Sequence, residues 1–109
     1  MPTIASLLQD VLAFRDARDW KQFHNPKDLA IGLNTEAAEL LELYLWKHPD
    51  QADPAKAAEE IADVLIYALL LADAYGFDPA TLVRDKLALN NRNYPVDKAK
   101  GSAKKYTEL

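Results

Sequence analysis

The sequence contains no cysteine, which excludes disulfide bonds, thiolate metal sites and cysteine nucleophiles. Basic residues are in the minority, with 13 lysines and arginines against 17 aspartates and glutamates and a net charge of −4. A dedicated nucleic-acid-binding protein needs a basic face, so that class is disfavoured. The apolar run at residues 64–72 is too short to cross a bilayer, and the N-terminus shows no signal-peptide pattern. These absences favour a soluble, cytoplasmic protein that binds neither nucleic acid nor membrane.

The apolar residues recur at helical spacing throughout, and the alternation typical of strands does not occur. At 109 residues the chain is one all-α domain. Three helix starts place a capping side chain before a proline at the first helical position, namely at Asn25, Asp53 and Asp78, and Thr3 caps an earlier helix. We expect helices at about 4–19, 26–47, 54–75 and 79–93, the third closed by Gly76.

Short connections between these helices predict an antiparallel four-helix bundle. Residues 1–95 would form the helical domain, and residues 96–109 a polar, lysine-rich tail. The third helix is apolar on nearly all sides, which is more apolar surface than one small bundle can cover. We therefore expect a homo-oligomer, either a dimer or a tetramer.

Four acidic residues lie inside the apolar stripes of two helices. Glu36 and Glu39 are three residues apart on the second helix, and Glu60 and Asp63 repeat this spacing on the third. Residues at this spacing share a helix face, so both pairs point into the predicted core. Buried acids need compensating positive charge, and a Mg²⁺ ion, which binds to oxygen ligands, would supply it. A single pair of this kind most often lies on a solvated helix face. The repetition of the pair on two helices is what predicts a metal site. Glu36 or Glu39 would act as the general base.

The fourth helix carries groups that suit phosphates. Lys86 and Asn90 are four residues apart, and Arg92 and Tyr94 follow them. Lysine, arginine and amide donors next to a carboxylate-bound Mg²⁺ would bind a polyphosphate. An ordinary amphipathic helix has a similar polar face, so this assignment depends on the acidic residues.

Three aromatic side chains near the ends of the second helix are candidates for holding a nucleobase: Trp20, His24 and Trp46. Tyr67, one turn after Asp63 on the third helix, could also hydrogen-bond this ligand, or simply a carboxylate. Core packing is an equally common fate of such tryptophans. The second helix, at 22 residues in this prediction, is about 33 Å long. Trp20 and Trp46 therefore meet one base only if the connecting segment folds back or a neighbouring chain supplies one of them.

The complete pattern, Glu-x-x-Glu, Glu-x-x-Asp and then Lys-x-x-x-Asn-x-Arg-x-Tyr-Pro, resembles the MazG-like all-α nucleoside triphosphate pyrophosphohydrolases. The segments RDW with FH, LWK and the closing KYTEL are similar to the dCTP pyrophosphatase branch. The resemblance implies a MazG-like helical bundle that assembles as a dimer or a dimer of dimers. It also implies that the four acids bind Mg²⁺, that Lys86, Asn90 and Arg92 contact phosphates, and that Trp20, His24 and Trp46 frame the base. Asn93 departs from the pattern, since relatives often carry a basic residue there.

These observations predict a Mg²⁺-dependent enzyme that cleaves a nucleoside triphosphate to the monophosphate and pyrophosphate. The resemblance implies dCTP or a modified dCTP as the substrate and cleansing of the nucleotide pool as the role. Two alternatives stay open. One is a helical module that binds metal or nucleotide without turnover. The other is a structural oligomer that buries its acids against basic residues of a partner.

Overall fold

The computed structural model describes residues 1–109 and contains five α-helices and no strand, which confirms the all-α prediction. The helices are α1 (Ile4–Ala17), α2 (Pro26–Glu42), α3 (Pro54–Ala74), α4 (Pro79–Asn93) and α5 (Val96–Ala99). Single 3₁₀ turns lie at Lys21–Phe23, Pro49–Gln51 and Tyr106–Glu108. The expected count of four helices was one too low, because α5 forms within residues 96–109. No helix has the length and apolar character needed to span a membrane.

Side-chain caps set the starts of the four long helices. The first N–H groups of a helix have no partner within it, and a capping oxygen satisfies one of them. Thr3 Oγ1 accepts from the Ser6 N–H at 3.1 Å, and Asn25 Oδ1 accepts from the Asp28 N–H at 2.9 Å. Asp53 and Asp78 cap α3 and α4 in the same way. All four predicted starts are therefore confirmed.

The second helix ends earlier than expected, at Glu42 rather than Lys47. Beyond Glu42 the hydrogen bonds tighten to the third preceding residue, as in Tyr44 N–H to the Leu41 carbonyl at 2.9 Å. Trp46 then adopts a left-handed conformation, with φ of 62°. These turns break the helical repeat before the extended His48 that Pro49 requires.

The chain forms two compact units, residues 1–77 and residues 78–109. In the first unit α3 packs against α2 and α1, and Leu29, Leu70 and Ala72 are buried. Gly32 of α2 faces Tyr67 of α3, while Glu36 lies beside Asp63, so α2 and α3 are antiparallel. In the second unit, the rings of Tyr94 and Tyr106 pack edge to face, 5.9 Å apart. The division into a domain at 1–95 and a tail stays a prediction.

Candidate active site

Three carboxylates from α2 and α3 converge in the first unit. One oxygen each from Glu36, Glu60 and Asp63 lies within 4.8 Å of the others. The antiparallel arrangement explains this, because the acid-bearing turns of the two helices then lie side by side. One oxygen of Glu36 and one of Glu60 are buried without a hydrogen-bond partner. Buried acceptors of this kind are unfavourable unless a ligand satisfies them, so these residues suit a bound cation.

Mutual repulsion and burial disfavour the ionised form of these acids. Burial, followed by the neighbouring carboxylates with Glu39 foremost, raises the pKa of Glu36 to about 7. Burial, followed by Glu39 and Asp63, also raises the pKa of Glu60 above its usual range. Glu39 thus lies beside the three converging acids and raises the pKa of both Glu36 and Glu60. A cation bound here would remove this repulsion and return the acids to their ionised form.

A cavity of about 440 Å³ opens beside Glu36 and Asp63. The predicted residues Trp20, His24 and Tyr67 line it, together with apolar side chains of α1 and α3. Sequence reasoning had assigned these three residues to the base. The structure brings them to one cavity with two of the acids.

A local hydrogen-bond pattern at the end of α1 places Trp20 in this cavity. The Asp19 N–H donates to the Asp16 carbonyl and the Trp20 N–H donates to the Arg15 carbonyl, both at 3.1 Å. Asp19 is left-handed, with φ of 55°, in the position that glycine usually takes in this C-cap motif. The chain therefore reverses, and the Trp20 ring packs edge-on against Phe14 at 5.7 Å. This reversal does not bring Trp20 and Trp46 to one cavity, because Trp46 does not line it.

His24, which lines the same cavity, has an unsatisfied polar atom. Its Nδ1 is buried and has no hydrogen-bond partner. Burial, and secondarily the positive charge of Arg15, lower the pKa of His24 below its usual value. The imidazole is therefore neutral at pH 7, with one donor nitrogen and one acceptor nitrogen for a ligand.

Tyr67 lies directly against the backbone of α2. A Cβ added at Gly32 would clash with Tyr67 Cε1, its nearest neighbour, and would stand 2.7 Å from Cζ and 2.9 Å from Cδ1. The absence of a side chain at position 32 thus lets the Tyr67 ring sit between the two helices. The same ring forms part of the cavity wall.

Sequence reasoning missed Arg15, which is the single buried charged residue at 7% exposure. Its guanidinium pairs with Asp16 at 2.8 Å and with Asp73 of α3 at 3.3 Å, and it lines the cavity. A signal was present, because Leu8, Val11 and Arg15 fall at helical spacing on one stripe of α1.

The remaining predicted residues lie elsewhere. Trp46 is fully exposed and does not line the cavity. Lys86, Asn90, Arg92 and Tyr94 belong to the second unit, on α4 and at its end. Lys86 and Arg92 are exposed, and neither makes an ion pair. Their roles stay predictions.

Comparison with known proteins identifies the family. A model described as the MazG-like family matches residues 31–109. The chain is 38% identical to dCTP pyrophosphatase 1 of Homo sapiens over 116 aligned positions, covering 99% of this chain and 68% of that protein. The Bos taurus protein of the same name is also 38% identical, with 99% of this chain and 69% of that protein covered. A solved pyrophosphatase structure from Archaeoglobus fulgidus DSM 4304 is similar with a TM-score of 0.79 and 38% identity, covering 87% of this chain and 94% of that one. Together with the converging acids on α2 and α3, these matches show that the chain belongs to the MazG-like family.

Proposed function

We propose that this chain, a nucleotide pyrophosphohydrolase, cleaves dCTP or a modified dCTP to the monophosphate and pyrophosphate in a Mg²⁺-dependent reaction. The observation that carries the proposal is the convergence of Glu36, Glu60 and Asp63 beside a cavity of nucleotide size. The names of the relatives support the choice of dCTP.

The donor set fits Mg²⁺ because it offers only carboxylate oxygens, two of which are buried and unsatisfied. Glu36, Glu60 and Asp63 would hold the ion, with Glu39 beside them as a fourth ligand or as the base. When bound, Mg²⁺ neutralises phosphate charge and acidifies bound water. Histidine and cysteine, which favour softer metals, are absent from this cluster.

The chain's own residues supply the proton transfer. Glu39 is our choice for the general base, because it adjoins the three converging acids without being one of them. Its carboxylate takes a proton from the attacking water, whose oxygen bonds to phosphorus as the anhydride bond breaks and pyrophosphate leaves. Lys86 and Arg92, with Asn90 and Tyr94, would contact the phosphates and stabilise the developing charge.

Base binding is assigned to the cavity walls. The Trp20 and Tyr67 rings offer stacking surfaces, and His24 offers a hydrogen bond at a neutral imidazole. A slot bounded by these rings accepts a pyrimidine more readily than a purine. The proposed role is to remove unwanted deoxycytidine triphosphates from the nucleotide pool.

A homo-oligomer is part of the proposal. Ile61 and Leu65 of α3 are 47% and 58% exposed, and many other large apolar side chains are also exposed. Monomeric proteins rarely leave so much apolar surface in water. Trp46 would then contact a base only from a neighbouring chain, since it does not line the cavity of its own chain.

The test is pyrophosphate release from a panel of nucleoside triphosphates with saturating Mg²⁺. We expect dCTP to be preferred, Glu39→Gln to abolish turnover, and Glu42→Gln, an exposed glutamate on the same helix, to retain it. Trp20→Ala and His24→Ala should each raise KM for dCTP more than they lower the melting temperature. Equal kcat/KM for dATP and dCTP would defeat the cytosine preference. Absence of turnover on every nucleotide would leave a metal-binding or nucleotide-binding module.

A further inference from the structure

Arg15 has hydrogen-bonding capacity that its ion pairs do not use. Its Nε donates to Asp16 Oδ1, its second terminal nitrogen contacts the same oxygen, and its first donates to Asp73 Oδ2. A guanidinium carries five N–H donors, so two remain after these three contacts. The group is buried, yet it lines the cavity. Spare donors in such a place favour a ligand that accepts hydrogen bonds.

The local charge indicates which kind of acceptor would bind. Asp16 and Asp73 together more than neutralise Arg15, and Asp10 adds a further carboxylate to the cavity lining. A phosphate would therefore meet net negative charge at this position. A neutral acceptor, such as a ring nitrogen or a carbonyl oxygen, meets the donors without that repulsion.

The place on α3 that Arg15 contacts supports the same conclusion. Its partner Asp73 lies ten residues after Asp63, which is about 15 Å along the helix axis. The metal-binding acids, and with them the triphosphate, belong to the Asp63 end. Aromatic and apolar side chains, including Phe14, Trp20 and Leu70, line the cavity that also contains Arg15.

We propose that Arg15 is a specificity-determining residue, whose free N–H groups donate to the adjacent acceptors O2 and N3 of a cytosine held in this cavity. The inference rests on the proposed function and deepens it. Uracil and thymine carry a proton on N3. This proton would face the Arg15 donors, so these two bases would bind less well than cytosine. Arginine suits this task because its donors form a rigid planar fork.

The competing explanation is that Arg15 only ties α1 to α3 through Asp73. Loss of a purely structural tie lowers stability and affects all substrates alike. Loss of base recognition changes the ratio between two substrates that differ in one ring atom. The experiment therefore measures such a ratio in variants that separate the two roles.

The substrates are dCTP and 3-deaza-dCTP, in which a carbon replaces N3. In the unmodified protein we expect kcat/KM to be about 10- to 100-fold lower for the analogue, as for a lost charged hydrogen bond. Arg15→Lys keeps the charge but loses the fork, and should reduce this ratio to about 3-fold or less. It should also narrow the preference for dCTP over dUTP. Asp73→Asn breaks the tie to α3 and should lower the melting temperature while the ratio is retained.

Two results would overturn the proposal: equal kcat/KM for dCTP and 3-deaza-dCTP in the unmodified protein, or an unchanged ratio in Arg15→Lys. The first needs no variant, so it holds even if Arg15→Lys does not fold. If the protein turns over no nucleotide, the proposed function fails separately. The Kd ratio of dCMP and 3-deaza-dCMP, measured by calorimetry, then tests Arg15 without turnover: dCMP should bind more tightly in the unmodified protein, and equal Kd values would overturn the proposal.

Discussion

Replacing Gly32 with alanine should destabilise this protein, although the same change inside a helix normally stabilises by about 1 kcal/mol. The reason is the Tyr67 ring, whose Cζ would lie 2.7 Å from the new Cβ. Ordinary contact begins at about 3.4 Å, and the nearest ring atom, Cε1, lies closer to the new Cβ than Cζ does, so the ring must retreat by about 1 Å. Overpacking of this kind costs about 1–3 kcal/mol.

The two effects oppose each other, and the steric term is the larger. We expect a net loss of about 1 kcal/mol in the free energy of unfolding, which is about 5 °C in Tm for a domain of this size. Because the displaced ring belongs to the cavity wall, KM for dCTP should rise with it. Urea unfolding followed by circular dichroism measures the first quantity, and steady-state kinetics measures the second.

A pair of background variants makes the reasoning refutable. In Tyr67→Ala the ring is gone, so Gly32→Ala should become stabilising by about 1 kcal/mol. In Tyr67→Phe the ring stays, and Gly32→Ala should destabilise as it does in the unmodified protein. A coupling energy near zero between positions 32 and 67, or stabilisation by Gly32→Ala alone, would show that the ring does not constrain the helix contact.

Three other predictions concern the acids and the assembly. Asp63→Asn should abolish turnover with little change in helical circular dichroism, and Mg²⁺ should raise the Tm of the unmodified protein but not of this variant; full activity in excess chelator would contradict it. Since burial and the neighbouring carboxylates raise the pKa of Glu36 from an ordinary 4.5 to about 7, the folded metal-free protein holds a proton that the unfolded chain has lost between these values. Its stability should therefore fall as pH rises through this window, and Glu36→Gln should flatten the slope in chelator; an identical slope in the variant would refute this. Sedimentation at micromolar concentration should show a dimer or larger species, and a folded monomer of 12.2 kDa would exclude the proposed assembly.

Helix starts and the facing acids were predictable because both depend on short-range rules. A capping residue followed by proline determines a helix start within three or four residues, as at Asn25 and Asp78. The spacing of Glu36 and Asp63 relative to apolar neighbours places them on inward faces once the two helices are antiparallel. Neither inference needed knowledge of distant contacts.

The parts that sequence reasoning missed depend on long-range contacts or on unusual backbone. Arg15 is buried because Asp73, 58 residues away, accepts one of its hydrogen bonds. Asp19 and Trp46 adopt left-handed conformations that glycine signals more reliably, so neither turn was visible in the sequence. The early end of α2 follows from the left-handed turn at Trp46 and from the tightened backbone hydrogen bonds between Glu42 and that turn.

The reversal at Asp19 has a consequence for how this protein can change over evolutionary time. One continuous segment, residues 10–24, supplies much of the cavity lining, whereas the three converging acids belong to α2 and α3. Substitutions within that segment can reshape the pocket without moving a carboxylate. Under the proposed function, the hydrolytic residues and most of the base contacts belong to separable stretches of the chain, so a new substrate preference would be accessible through a few neighbouring codons while the reaction itself is preserved.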